Sequence, residues 1–417
     1  MHIKQLFYRL VFLSILNSIL LMGCQDSNSV PDNNLDKIIV EGLYYADSLP
    51  IKVTIEQGII SKITREPIGE GSERYFISPG LIDHQVNGYL SHSFVGGDLD
   101  AEGLKEVTEG FWSKGITTYL PTLTTQTDEV LLKSFKNLNE LLEDSHLAQS
   151  IAGFHLEGPF ISPEAGFRGA HNLEWIRDPN WEEFEKWYNA SGNRIKEVTI
   201  APELEGAMEF IRKCREKDIV VAIGHTAALT DDINESIVMG ATVSTHLGNG
   251  CANTIHRHHN PLWPQLADDR LTASIIVDGF HLTREEVRTF FKTKGPDNTV
   301  LVSDLTRLAG MPPGRYQDFG QELVMTEEGA IMLLSENVLA GASFLITRGI
   351  ENVIKFTGCT LGEAIDMATR NPARLLGLHD RGEIAVGKRA DLILFEFDNG
   401  SFEVAKTVVG GEVVFEK

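Results

Sequence analysis

Residues 151–160 read Ile151-Ala152-Gly153-Phe154-His155-Leu156-Glu157-Gly158-Pro159-Phe160. An apolar run ends in a carboxylate, and a Gly-Pro turn follows at once. A short continuous apolar run closed by Gly and Pro fits a parallel strand covered on both faces. Glu157 stands at the C-terminal end of that strand, where barrel and open α/β folds place their chemistry. Two later runs end alike, Val220–Thr226 (VVAIGHT) in His225 and Thr242–Gly250 (TVSTHLGNG) in His246. One carboxylate and two imidazoles at three strand ends can converge on one metal ion. A fourth run, Thr299–Asp304 (TVLVSD), ends in Asp304, a candidate proton carrier. Alone, Glu157 reads as a capping or salt-bridged residue. Four such residues at the same end of four similar strands read as a site.

Outward from these strands, residues 79–380 alternate short apolar runs with longer amphipathic segments such as 128–144 and 207–218. That alternation marks βα units and a parallel sheet. Eight candidate strands start near residues 76, 116, 151, 197, 219, 241, 272 and 299, and eight units in about 300 residues predict a (β/α)8 TIM-type barrel. Residues 37–78 and 381–417 instead alternate in the β manner with Gly or Asp turns, predicting one small β-sandwich domain built from both termini. Residues 163–195, with Trp175, Trp181 and Trp187, are long for a βα loop and are expected to serve the site.

The chain has 417 residues and a formal net charge of −22, which argues against nucleic-acid partners and against adhesion to an anionic membrane surface. Lys4 and Arg9 precede an apolar run, Leu10–Met22, too short to span a bilayer comfortably, which is a secretory signal pattern. Its end, Leu21-Met22-Gly23-Cys24, resembles the lipobox of bacterial lipoproteins. That resemblance implies a signal peptide over 1–23, lipidation of Cys24, a polar tether over 24–36, and an exported, lipid-anchored enzyme whose only membrane contact is that lipid. Cys214, Cys251 and Cys359 show no CxxC and no paired count, and are expected to pack rather than bridge.

The motifs PGLIDHQVNG (79–88), HLEGPF (155–160), GAHN (169–172), IGHT (223–226), STHLGNG (244–250), VDGFHL (277–282), VSDLTRLAG (302–310) and LAGAS (339–343) together match a family. In order and spacing the chain resembles the N-acetylglucosamine-6-phosphate deacetylases of the amidohydrolase superfamily over most of 37–417. Many superfamily members carry His-x-His on the first strand as ligands for a second ion. Here the matching positions are Gln85 and Asn87, and neutral amides are poor ligands beside imidazole and carboxylate. One divalent ion per chain is therefore expected on Glu157, His225 and His246, zinc first, with iron, manganese or cobalt as alternatives. Gln85 and Asn87 then join the substrate side. His84 is turned away from them by strand alternation.

The resemblance implies that Asp304 takes a proton from water and passes it to the leaving amine, and that His171 supports the amide oxygen. It places His281, Asn249 and Gly250 against the substrate. It assigns Arg257 to a substrate phosphate across a homodimer, although the neighbouring His256, His258 and His259 depart from the family pattern and could also form a metal tract. A lipoprotein and a cytoplasmic sugar phosphate are in tension, so an unphosphorylated N-acetyl amino sugar stands beside N-acetylglucosamine-6-phosphate. The alternatives are an exported amidohydrolase for N-acyl amino acids or cyclic amides, and a non-catalytic sugar-binding lipoprotein.

Overall fold

The structure, a computed structural model, describes residues 37–143, 145–318 and 320–417. The signal peptide, the lipidation site Cys24 and the tether expected over residues 1–36 lie outside the described residues. Eight strands form one parallel sheet in sequential order: β1 (Leu81–Val86), β2 (Ile116–Thr124), β3 (Phe154–Glu157), β4 (Ile195–Ile200), β5 (Val220–Ile223), β6 (Ala241–Ser244), β7 (Thr272–Ile275) and β8 (Thr299–Leu301). Every neighbouring pair is parallel. Just beyond β8 the chain returns to β1 through a Val86–Leu305 bridge, with Asp304 N to Gln85 O at 3.0 Å and Asn87 N to Leu305 O at 2.7 Å. The barrel thus closes at the point where Gln85, Asn87 and Asp304 meet.

Helices cover the outside because their apolar residues fall on one stripe. In the helix Asp128–Leu142 the buried positions are Leu131, Phe135, Leu138 and Leu142, spaced by three and four, and Thr127 caps its start by accepting from Val130 N. Inside the wall, Leu156, Val198, Ile200, Val221 and Ile223 are fully buried. These five share one face, and His155, Thr199 and Ala222 are as fully buried on the other, so the strands are covered on both sides.

The two termini meet in one seven-stranded sheet, joined where Phe76–Pro79 pairs with Leu392–Asp398. The sheet folds over itself in the expected sandwich manner. Its Gln57–Gly58 turn meets the Gly410–Gly411 turn through Ala390, which donates to Gly58 O and accepts from Gly411 N. Val53, Ile55, Ile60, Ile77, Leu392 and Val408 fill the space between. A further four-stranded sheet, Gly314–Asp318, Gln321–Met325, Ile331–Leu333 and Val338–Leu339, is inserted after β8 and was not among the predicted elements. Cys214 and Cys359 are buried and unbridged, in line with a packing role. No helix among the described residues is long and apolar enough to cross a membrane.

Candidate active site

Glu157 ends β3, and His225, His246 and Asp304 follow β5, β6 and β8 by two or three residues. The last three take left-handed backbone conformations, with φ of 51°, 28° and 53°. Non-glycine residues rarely accept this conformation, and it costs on the order of 1–3 kcal/mol each. Here the turn swings each side chain off the end of its strand towards the barrel axis.

The result is a tight cluster. Glu157 Oε1 lies 3.0 Å from His246 Nε2 and 3.4 Å from His225 Nε2, and the two Nε2 atoms are 3.1 Å apart. All three residues are buried. Burial pushes the Glu157 carboxyl up, but hydrogen bonds to His225 and His246 outweigh it and hold the group well below the usual carboxylate range. Among the described residues this is the one His/Cys/Asp/Glu group close enough to share an ion. The histidines 256, 258 and 259 do not form another. His256 instead turns its Nδ1 to the backbone N–H groups of His258 and His259, at 3.2 and 2.9 Å.

The donor set suits a borderline cation such as zinc. It comprises one carboxylate oxygen and two imidazole Nε2 atoms facing one another, with no hydrogen-bond donor of lysine or arginine type between them. His225 is also aimed from behind. Its Nδ1 lies 3.1 Å from the Phe167 carbonyl, which leaves Nε2 as the free donor atom. Two glycines make room for the ring. A Cβ on Gly250 (φ +57°) would stand 2.8 Å from His225 Nδ1, and one on Gly169 would stand 3.0 Å from its Cε1. Gly250→Ala is therefore expected to displace His225 and weaken divalent-ion binding by about tenfold or more, read by competition with a chelator. Unchanged affinity would show that the ring does not need this cradle.

Asp304 stands beside the cluster. Asn87 Nδ2 donates to its Oδ1 at 2.8 Å, and Gln85 Nε2 reaches both Asp304 Oδ1 (3.3 Å) and Glu157 Oε1 (2.9 Å). Burial, and then the charge of Glu157, push Asp304 up to about 8. Gln85 therefore differs from the expected substrate contact. Its amide is spent bracing two carboxylates, and it is absent from the cavity wall, whereas Asn87 is on it. An amide N–H pointed at these oxygens is a donor where a second ion would need a ligand.

The cluster opens into a cavity of about 370 Å³, at the small end of the ~300–1,000 Å³ usual for ligand sites. His171, His281, Asn249 and Gly250 line it, so the structure brings these four to the ion-binding cluster. His171 Nδ1 pairs with Thr125 Oγ1 at 2.7 Å, and its ring meets His225 edge-on. Burial, and then the charge of His225, push His171 down to about 3, so it is neutral at pH 7. His281 Nδ1 is held by Asp278 Oδ2 at 2.8 Å. Arg257 is not brought in. It is exposed on the 251–260 loop and does not line its own chain's cavity. His84 turns the other way, onto Glu197 at 2.7 Å.

Sequence reasoning missed Thr125, Asp278, the Phe167 carbonyl and the wall supplied by Met332 and Val338 of the inserted sheet, whereas Leu339 and Ala340 beside them open the LAGAS motif. Asp278 lies inside VDGFHL and was visible as an acid three residues before a histidine. The others left no signal in residue type. Within 163–195, only the first part faces the cavity, through Gly166 and Gly169–Asn172. Trp187 is buried against Phe160 and donates to Asp128.

The amidohydrolase family model matches residues 76–414, most of the chain and all eight strands of the barrel. The chain belongs to the amidohydrolase family, in its N-acetylglucosamine-6-phosphate deacetylase branch. The N-acetylglucosamine-6-phosphate deacetylase of Bacillus subtilis is 33% identical over 341 residues, covering 81% of this chain and 84% of that one. Among solved structures, the deacetylase from Thermotoga maritima is 30% identical with a TM-score of 0.79, covering 91% of this chain and all of its own. A mutant of the Mycobacterium smegmatis deacetylase, in complex with N-acetyl-D-glucosamine-6-phosphate, has a TM-score of 0.81 at 27% identity and covers 91% and 99%. This amidohydrolase therefore shares its fold with these relatives over most of its length.

Proposed function

We propose that this amidohydrolase removes the acetyl group from an N-acetylated amino sugar, with N-acetylglucosamine-6-phosphate the first candidate because the matched relatives are named for it. The observation that carries the reading is the convergence of Glu157, His225 and His246 on one point, with the Asp304 carboxyl beside it. Glu157, His225 and His246 would hold one divalent cation, zinc first, which when bound polarises the amide carbonyl and acidifies water.

The chain's own groups then have separate tasks. Asp304, braced by Asn87 and Gln85, accepts the proton from the attacking water and delivers it to the amine nitrogen as the C–N bond breaks. One water is consumed: acetic acid and a neutral amine leave, and the acid then gives its own proton to solvent, so the proton count balances. His171, kept neutral by burial, receives the Thr125 hydroxyl hydrogen at Nδ1 and so carries its own hydrogen on Nε2. That N–H is free to donate to the amide oxygen as negative charge builds there. Asp278 fixes His281, whose other nitrogen is left for a sugar hydroxyl. No lysine or arginine among the described residues lines the cavity, so a phosphate would have to draw on Arg257 of a second copy, as a homodimer would allow. Export and lipid attachment at Cys24 remain part of the proposal, as does an unphosphorylated sugar for an exported enzyme.

The test is amine release from N-acetylglucosamine, its 6-phosphate and a panel of N-acetyl amino acids, run beside elemental analysis. Deacetylation of either sugar with one ion per chain is the expected result. Turnover of N-acetyl amino acids alone would shift the reading to the other amidohydrolase class. Two tightly held ions per chain would overturn the role given to Gln85 and Asn87.

A further inference from the structure

We infer that Arg168 and Glu336 are positioning residues: their ion pair locks the inserted sheet onto the loop that orients His225 and carries His171. This rests on the active-site reading above. The Arg168 side chain is 12% exposed and that of Glu336 29%, and one guanidinium nitrogen, Nη2, donates to both carboxylate oxygens of Glu336, at 2.7 and 2.6 Å. A partly buried arginine–carboxylate pair is worth more than a fully exposed one, and the contact of Nη2 with both oxygens sets the distance between the two segments. It spans 168 positions of sequence, so neither partner is held near the other by the local chain.

What the pair joins gives it a role. On one side, Arg168 follows Phe167, whose carbonyl faces His225 Nδ1, and precedes His171 by three residues, with His171 N bonded to Arg168 O at 3.2 Å. On the other side, Glu336 sits in the turn between Ile331–Leu333 and Val338–Leu339. That hairpin supplies Met332, Val338 and Leu339 to the cavity wall. The chain leaving it at Ala342 is hydrogen-bonded to Asp304 O at 2.9 Å. Gln321 of the same sheet reaches across to Ala170 O at 2.9 Å, making a second tie to the loop. The loop that aims a metal ligand and the insert that leads back to Asp304 are therefore fastened together at Arg168–Glu336.

Opening the fastening frees the Phe167 carbonyl to drift, and His225 loses the acceptor that fixes its ring. Partners of this kind to a ligating histidine typically change metal affinity by about 10–100-fold when removed. The test uses the full chain, with zinc as the probe, and four proteins: the parent, Glu336→Gln, Arg168→Glu, and the exchanged pair Arg168→Glu with Glu336→Arg. Zinc affinity comes from chelator competition, and amide hydrogen exchange over 163–172 is followed in metal-free protein. The expected result is at least a tenfold loss of zinc affinity and faster exchange in both single variants. The exchanged pair is expected to recover most of both. A general loss of folding would lower melting temperature in every variant and would not be rescued by exchange. Single variants that bind zinc as the parent does would overturn the inference while leaving the site intact. A parent that binds no zinc, manganese or cobalt would overturn the site itself and the inference with it.

Discussion

Asp304→Asn is expected to lower kcat by about 10²–10⁴-fold, the range lost with a positioned proton carrier, while leaving one ion bound per chain. The two effects separate because the residue's surroundings separate them. Asp304 Oδ1 accepts from the Asn87 and Gln85 side-chain amides, and an asparagine oxygen can accept both bonds from the same place. The backbone tie from Asp304 N to Gln85 O is untouched. Shape, burial and the left-handed backbone at φ 53° are all within reach of asparagine, which tolerates that conformation well. What asparagine cannot do is take a proton from water. Glu157, His225 and His246 do not include this side chain, so elemental analysis should still find the ion. A variant that turns over within threefold of the parent would remove Asp304 from the chemistry. A variant that has lost its ion would instead make Asp304 a support for the cluster. The contrasting change, His225→Ala, should lose both ion and turnover together.

The chain states some of this openly in its residues and hides the rest for identifiable reasons. The barrel is legible because one face of each strand is apolar and the run closes in a polar terminator such as Glu157 or Asp304, even though the opposite face buries polar residues such as His84 and Glu197. The small sheet is legible by the opposite sign, a period of two at both termini. The cluster of Glu157, His225 and His246 follows from the barrel, since strand ends of a closed sheet point at one axis. The inserted sheet is different. Its strands are two to five residues long and partly exposed, and neither length nor period marks them against ordinary loop. The hold on His225 comes from a backbone carbonyl, which carries no sequence signal. The Arg168–Glu336 pair joins positions with no local reason to meet. The reversal at Gln85 has a further cause. A side-chain amide reads the same whether it faces a sugar or braces two carboxylates, and only the placement of β1 against the Asp304 segment decides between them.

Metal-free protein is expected to lose stability as the pH rises from about 6.5 to about 8, and a divalent cation is expected to abolish that dependence. In the folded chain, burial and the charge of Glu157 push Asp304 up to about 8. In the unfolded chain an ordinary aspartate titrates near about 3.9. Between those values the folded state holds a proton that the unfolded state has released. Unfolding therefore sheds a proton, and raising the pH favours it. Glu157 works with the opposite sign. Its folded carboxyl is held low, so its contribution is present above its unfolded value and is lost as the pH falls through its folded one. That loss belongs to the acid side. His171, pushed down to about 3 by burial, is protonated only in the unfolded chain up to about 6.5 and so opposes Asp304 below that pH, which leaves the span from about 6.5 to 8 to Asp304. Urea midpoints measured in chelator at about pH 6.5, 7, 7.5 and 8 should fall steadily, and Asp304→Asn should flatten the fall. A cation beside Glu157 removes the repulsion that keeps Asp304 protonated. Binding near pH 7 should then release about one proton per ion, visible as a dependence of binding heat on the ionisation enthalpy of the buffer. Midpoints that stay level across this range in chelator would mean that Asp304 is already ionised in the empty site, and that the proton it carries during the reaction is not one it holds at rest.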